Sequence, residues 1–220
     1  MSDKAPILNL IYAYDPLCGW CFGFHPVLKK LSDRFSGDLK IEVAAGGLAI
    51  GPNAQTISDG YSFIRQEIGQ VEKVTGIKFG ENFKMLAEEG SYFYSSEASC
   101  IAQTVVNELS PEQSLTFAGL MQDAIFKHGK NLNEWSTFSE LLETLSIDTV
   151  HARSLFYSDP IRQKTYEIFD WCKKAGASAY PTLLLKFGDE TGVMSRGYRP
   201  FDTLESHLHH LINNIKKVSA

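Results

Sequence analysis

An apolar run, Ile7 to Ala13, ends at Asp15-Pro16-Leu17 and is followed at once by Cys18-Gly19-Trp20-Cys21. Nearly continuous apolar sequence of this length suits a strand buried on both faces of a sheet. Past the cysteines, Val27, Leu28 and Leu31 recur at helical spacing and Gly37 supplies a stop, which predicts a helix from about Gly19 to Phe35. Leu39–Ala45 reads as a second strand. The opening is therefore β–α–β, with two cysteines at the first strand-to-helix junction.

Gly46-Gly47-Leu48-Ala49-Ile50-Gly51-Pro52 breaks that pattern, and the chain then reads as purely helical until Gly176. Ala98, Ile101, Ala102, Val105 and Leu109 share a helical face. So do Phe117, Leu120, Met121, Ala124 and Ile125, after a start at Ser110-Pro111 where serine caps and proline takes the first turn. Asn133 is the expected cap of a helix bearing Trp135, Phe138, Leu142 and Leu145, and Asp159-Pro160 opens another through Ile161, Thr165, Ile168 and Cys172. Strand signals return at Thr182–Phe187 and Gly192–Arg196 around a hairpin turn at Gly188-Asp189-Glu190. An amphipathic helix through Leu204, Leu208, Leu211, Ile212 and Ile215 closes the chain. The expected class is α/β, with a discontinuous domain at 1–52 and 176–220 and a helical insertion at 53–175.

Composition narrows function. With 220 residues, 44% hydrophobic and 12% aromatic, the chain can bury a sizeable core. A formal charge of −5 offers no electrostatic case for nucleic acid or an anionic membrane. No apolar run approaches the roughly 20 residues that a span requires. The start, Met1 to Pro6, lacks the basic region and longer apolar stretch of a signal peptide, so a cytoplasmic location is expected. In a reducing compartment, closely spaced cysteines point to catalysis or metal binding rather than to a structural bridge.

The thiolate is the nucleophile in disulfide exchange, and a thiol titrates near 8.5 unless its surroundings favour the anion. A helix N-terminus does so through unpaired N–H groups and the positive end of its dipole. Cys18 is expected there as the attacking thiol. Cys21, one turn deeper, is expected to resolve the mixed disulfide. Half a zinc site has the same spacing, but neither Cys100, Cys172 nor the His207/His209/His210 cluster supplies a second pair of the usual kind, and no metal is expected. Ser178-Ala179-Tyr180-Pro181-Thr182 is the second element, since a proline cannot donate to a sheet ladder. An ordinary trans proline at a strand start also satisfies these residues.

The segment Tyr14-Asp15-Pro16-Leu17-Cys18-Gly19-Trp20-Cys21-Phe22-Gly23 resembles the active-site segment of the DsbA-like family, and Tyr180-Pro181-Thr182 resembles its cis-proline segment. Gly46-Gly47 resembles a glycine turn common after the second strand. The similarity is to the cytosolic, FrnE-like branch. It implies a thioredoxin-like fold with an all-helical insertion, a cis bond before Pro181, protein or peptide thiols and disulfides as substrates, glutathione or a thioredoxin-type dithiol as partner, and no bound cofactor. Trp20, Tyr180 and Pro181 would contact substrate, Trp20 as an exposed apolar surface. Two departures stand out. Tyr12 occupies the position, six before the first cysteine, where relatives carry a buried acid, so proton transfer to Cys21 would need Asp15, another group or water. Gly19-Trp20 is neither the histidine-containing dipeptide of strong oxidants nor the proline type of reductants.

Other residues have plainer readings. Cys100 and Cys172 read as core thiols, His25 as a neighbour that could tune the thiolate, and His207 and His210 as a solvated face. The aromatics of Tyr61-Ser62-Phe63 and Tyr92-Phe93-Tyr94 could floor a groove, with core packing the preferred account. Gly46–Gly51 lacks the lysine and serine of a phosphate loop and reads as a turn. A thiol–disulfide oxidoreductase or isomerase is thus the leading expectation. The alternatives are a redox-sensing adaptor on the same fold and a glutathione-dependent isomerase or transferase.

Overall fold

The computed structural model describes residues 8–187 and 190–218, without the side chains of residues 61–63 and 218. The apolar opening forms β1 (Leu8–Tyr14), followed by α1 (Gly19–Arg34) and β2 (Leu39–Ala45). β1 and β2 pair in parallel from Leu8 opposite Leu39 to Tyr14 opposite Ala45. Near the other end of the chain, β5 (Thr182–Phe187) pairs antiparallel with β1, and β6 (Glu190–Arg196) pairs antiparallel with β5. The order β2-β1-β5-β6 makes β1 an inner strand. Its alternation serves two cores at once. Leu8, Leu10, Tyr12 and Tyr14 join one apolar cluster, while Ile11 and Ala13 join another with Cys172 and Leu184. That two-sided burial is why the run is apolar at nearly every position.

Between β2 and β5 the described chain is helical apart from two short strands. In order it forms β3 (Gln55–Thr56), α2 (Tyr61–Thr75), α3 (Glu81–Glu89), β4 (Phe93–Tyr94), α4 (Glu97–Leu109), α5 (Ser114–Phe126), α6 (Trp135–Thr144), α7 (Thr149–Phe156) and α8 (Asp159–Lys174), and α9 (Phe201–Val218) follows β6. The expectation of a purely helical stretch is corrected by the β3–β4 pair, in which Gln55 faces Tyr94 and Thr56 faces Phe93. Two residues of strand are too few for periodicity to reveal.

Two expected caps also differ. Ser110 makes no capping hydrogen bond, and a single turn at Pro111–Gln113 precedes α5. Asn133 lies one residue before the true cap, Glu134, and spends its amide on the Phe93 carbonyl at 2.8 Å. Asp148 does cap α7, accepting from Val150 and His151 N–H, and Ser158 caps α8 by accepting from Ile161 N–H. The expected turn at Gly188-Asp189 lies outside the described residues. Among the described residues no helix is long and apolar enough to cross a membrane.

Candidate active site

Cys18 is the N-cap of α1, in extended conformation, and its sulfur accepts the Cys21 N–H at 3.3 Å. The turn leading to it is held twice. Cys18 N–H donates to the Asp15 carbonyl at 3.1 Å, and Leu17 N–H to Asp15 Oδ1 at 2.9 Å. The Cys18 thiol lies 3.5 Å from the Tyr180 carbonyl oxygen, to which it donates. The Tyr180–Pro181 peptide bond is cis, so the two segments singled out in the sequence, 162 residues apart in the chain, meet at one sulfur. Only 6% of Cys18 is exposed.

Cys21 is fully enclosed, and burial above all, then the hydrogen bond and charge of Cys18, pushes its thiol well above the ordinary range. A hydrogen bond from the Asp15 backbone opposes this shift, and Tyr12 does so as well. Its hydroxyl donates to the Cys21 carbonyl at 3.4 Å and lies within hydrogen-bonding contact of the Cys21 thiol. The Tyr12 ring stacks on Tyr14, whose hydroxyl donates to Gln103 Oε1 at 2.6 Å. The group at the departed acid position is therefore itself in contact with the deeper thiol.

The Asp15 side chain faces elsewhere. Its buried carboxyl group accepts from Leu48 N–H at 2.6 Å as well as from Leu17, and the Cys100 thiol lies 3.9 Å from Oδ2. Burial raises its affinity for a proton, partly offset by these donors. Asp15 thus ties the cysteine turn to the loop after β2. That loop is further fixed by Ala49 N–H on Ser96 Oγ at 3.1 Å. Gly46 in the same loop has a clear steric cause. A β-carbon there would fall 1.9 Å from the Tyr180 hydroxyl oxygen, which instead donates to the Gly46 carbonyl at 2.8 Å.

Cys18, Trp20 and Tyr180 line a cavity of about 640 Å³ whose far wall is made by α2, Phe79 and Phe83. Pro181 stands behind this lining, its carbonyl accepting Gly197 N–H at 2.7 Å. Trp20 is not simply exposed. It is half-buried, and its indole N–H donates to Glu67 Oε2 at 2.6 Å, joining α1 to α2 across the cavity. Of the aromatic groups read as core, Tyr92 is buried, but Tyr94 lines the cavity and donates to the Leu17 carbonyl. The side chains of Tyr61 and Phe63 lie outside the described residues. Glu67 and Phe79 were not singled out in the sequence, whereas Tyr94 stood in the aromatic group that could floor a groove, a reading set below core packing.

The remaining candidates are placed away from the pair. His25 packs against α5, where a β-carbon on Gly119 would lie 2.2 Å from its Nε2, and burial pushes its pKa down to about 4. Its charged neighbours are Asp123, Lys29 and Lys127 rather than Cys18. Cys100 and Cys172 are buried free thiols, and burial pushes Cys172 up to about 12. His209 lies edge-on to Phe35 and 3.2 Å from the Arg34 guanidinium, and His210 lies 2.9 Å from Asn214.

Neither a family model nor a curated protein sequence matches the chain. Solved structures do. A candidate protein disulfide isomerase from Nitrosomonas europaea superposes with a TM-score of 0.81 at 23% identity, covering 97% of this chain and 99% of its own. The cytosolic disulfide reductase DsbM from Pseudomonas aeruginosa superposes with a TM-score of 0.75 at 20% identity, over 96% and 98%, and has also been solved with glutathione. A 2-hydroxychromene-2-carboxylate isomerase superposes with a TM-score of 0.68 at 16% identity, over 96% and 100%. At these identities the likeness establishes the fold, which is thioredoxin-like with a helical insertion, the DsbA-like arrangement.

Proposed function

We propose that this protein is a thiol–disulfide oxidoreductase in which Cys18 attacks and Cys21 resolves. The observation that carries the reading is the Cys18 sulfur at the open end of α1, accepting the Cys21 N–H at 3.3 Å. A thiolate formed there is stabilised by that N–H and by the helix dipole, whereas Cys21 is too enclosed to meet a substrate first. Cys18 thiolate attacks a substrate disulfide and forms a mixed disulfide as one substrate sulfur leaves. Cys21, giving up its proton, then attacks Cys18, and the second sulfur departs with both electrons of the pair transferred. Tyr180 presents its carbonyl beside Cys18, and the Tyr12 hydroxyl and the Asp15 backbone favour the Cys21 thiolate as it forms.

The substrates in this reading are disulfides and thiols, with glutathione or a thioredoxin-type dithiol a candidate reductant, the former because a structural neighbour has been solved with it. The neighbour that is cytosolic and named a reductase supports a cytoplasmic location and the reducing direction. Helices between 53 and 175 supply the far wall of the cavity. The test is a pair of variants. Cys18→Ser is expected to abolish disulfide reduction. Cys21→Ser is expected to accumulate a stable mixed disulfide on Cys18 that mass spectrometry detects. Equal turnover by wild type and Cys18→Ser would overturn the reading.

A further inference from the structure

The cavity above Cys18 is unlike a surface made for polypeptide. Cys18 is 6% exposed and sits at the edge of a half-open cavity of about 640 Å³, within the range that holds small ligands. A cystine embedded in a folded chain would have to bring its backbone into that space to reach the sulfur. Most of the wall is apolar, from Ile64, Ile68 and Val71 on α2 to Phe79, Phe83 and Phe126. Gly19 lets the wall close in, since a β-carbon there would stand 3.3 Å from the Phe79 ring. Among the described lining residues Glu67 is the only carboxylate, and none is lysine, arginine or histidine. Glu67 is held in the wall by the Trp20 indole N–H at 2.6 Å. A carboxylate-bearing ligand would find no counter-charge here and would face Glu67.

Resting on the oxidoreductase reading of this site, we propose that the substrate is a low-molecular-mass disulfide with an apolar, uncharged half that fills the cavity, and that Glu67 discriminates against anionic disulfides. Cys18 thiolate attacks the substrate sulfur bonded to the apolar group, the substrate S–S bond breaks, and the other half leaves as thiolate and takes up a proton. Cys21 then gives up its proton and closes on Cys18, the apolar thiol departs carrying that proton, and the two electrons that reduced the substrate come from the pair. A dithiol such as dithiothreitol restores the pair between turnovers.

The test is single-turnover oxidation of the reduced protein, read by tryptophan fluorescence. The probes are bis(pyridyl) disulfide, its dicarboxylated aryl counterpart dithiobisnitrobenzoate, hydroxyethyl disulfide, glutathione disulfide and insulin. Each rate is divided by that of dithiothreitol with the same disulfide, which removes intrinsic reactivity. The neutral aryl disulfide is expected to exceed hydroxyethyl disulfide by about tenfold or more, as burial of an aromatic ring predicts. Ile68→Trp, which fills the cavity from α2, should erase that advantage. Glu67→Gln should raise the rate of the dicarboxylate relative to the neutral aryl disulfide by about fivefold. An unchanged charge ratio in Glu67→Gln, a flat series across the low-mass probes, or insulin as the fastest substrate would each overturn the inference while leaving the redox reading intact. Failure of every disulfide to oxidise the pair would overturn both.

Discussion

The β1–α1 junction and the packed layer of α4 and α8 each hold two buried thiols, yet the two regions treat sulfur in opposite ways. Cys100 and Cys172 lie in separate clusters; burial alone raises the Cys172 thiol, while burial and the charge of Asp15, whose Oδ2 lies 3.9 Å away, raise that of Cys100. At the junction Cys18 is nearly as hidden, but it meets backbone polar groups, an N–H from Cys21 and the carbonyl of Tyr180. Cys21 meets the Tyr12 hydroxyl. Exposure therefore does not separate the two kinds of thiol. What sets Cys18 apart is its place at a helix start, where the Cys21 N–H meets its sulfur, while Cys100 has the Asp15 carboxylate beside it and burial is the one cause acting on Cys172.

The strongest way to break this comparison is to exchange sulfur for oxygen or carbon in each region. Cys18→Ser should lower the rate of disulfide reduction by at least about a thousandfold, because the hydroxyl has no accessible anion at neutral pH. Cys100→Ala and Cys172→Ala should leave that rate within about twofold and lower stability by roughly 1–2 kcal/mol each, read by urea unfolding. A thousandfold loss in either interior variant would erase the distinction between the regions.

The junction was legible in the sequence because its parts are local. Strand, turn, cysteines and helix follow one another within the first 34 residues, and the alternation in β1 needed only short-range patterning. The Tyr180 loop was legible because proline before a strand demands a cause. The far wall was not. Glu67 lies on an amphipathic helix where an acid reads as solvated surface, and Phe79 reads as core. Their meeting with Trp20 and Cys18 depends on how α2 and its following loop dock against α1, with Gly23 close enough to α2 that a β-carbon would lie 2.7 Å from Thr75. Tyr12 looked like a lost acid, and its reach to Cys21 depends on the tilt of α1 over the sheet. Asn133 looked like a cap because local rules cannot see the Phe93 carbonyl 40 residues away.

Steric and ionic substitutions sharpen the comparison further. Gly46→Ala forces the Tyr180 ring off the wall beside Cys18, with a clash at 1.9 Å and the loss of a hydrogen bond. A cost of about 2–3 kcal/mol is expected in urea unfolding. Gly69→Ala in α2 meets nothing within 4 Å and should instead gain about 0.5–1 kcal/mol. His25 belongs to the junction by sequence but to the interior by surroundings. Its folded-state pKa is pushed down from 6.5 to about 4, so the unfolded chain takes the proton first. The stability it contributes is complete above the unfolded value and is lost as pH falls toward the folded one. Between about pH 7.5 and pH 5 the wild type should lose about 2 kcal/mol that His25→Gln does not. Equal slopes in the two proteins would place His25 in water.

The smallest effect falls on the boundary between the two regions. Tyr12→Phe removes one hydroxyl and leaves the aromatic stack on Tyr14, so Cys21 acquires surroundings close to those of Cys172. The lost contact is a hydrogen bond to a thiolate that exists only while Cys21 attacks. Such a bond contributes about 1 kcal/mol, which lengthens the life of the Cys18 mixed disulfide by about fivefold near neutral pH. The shift has a direction in pH as well. Without the donor the Cys21 thiol moves further up, so the variant should recover toward the wild-type rate as the solution becomes more alkaline. Rapid-quench trapping of the mixed disulfide across that range separates this role from packing. A purely structural Tyr12 would change the lifetime by the same factor at every pH, and an unchanged lifetime would leave control of the deeper thiol to burial, Cys18 and the Asp15 backbone.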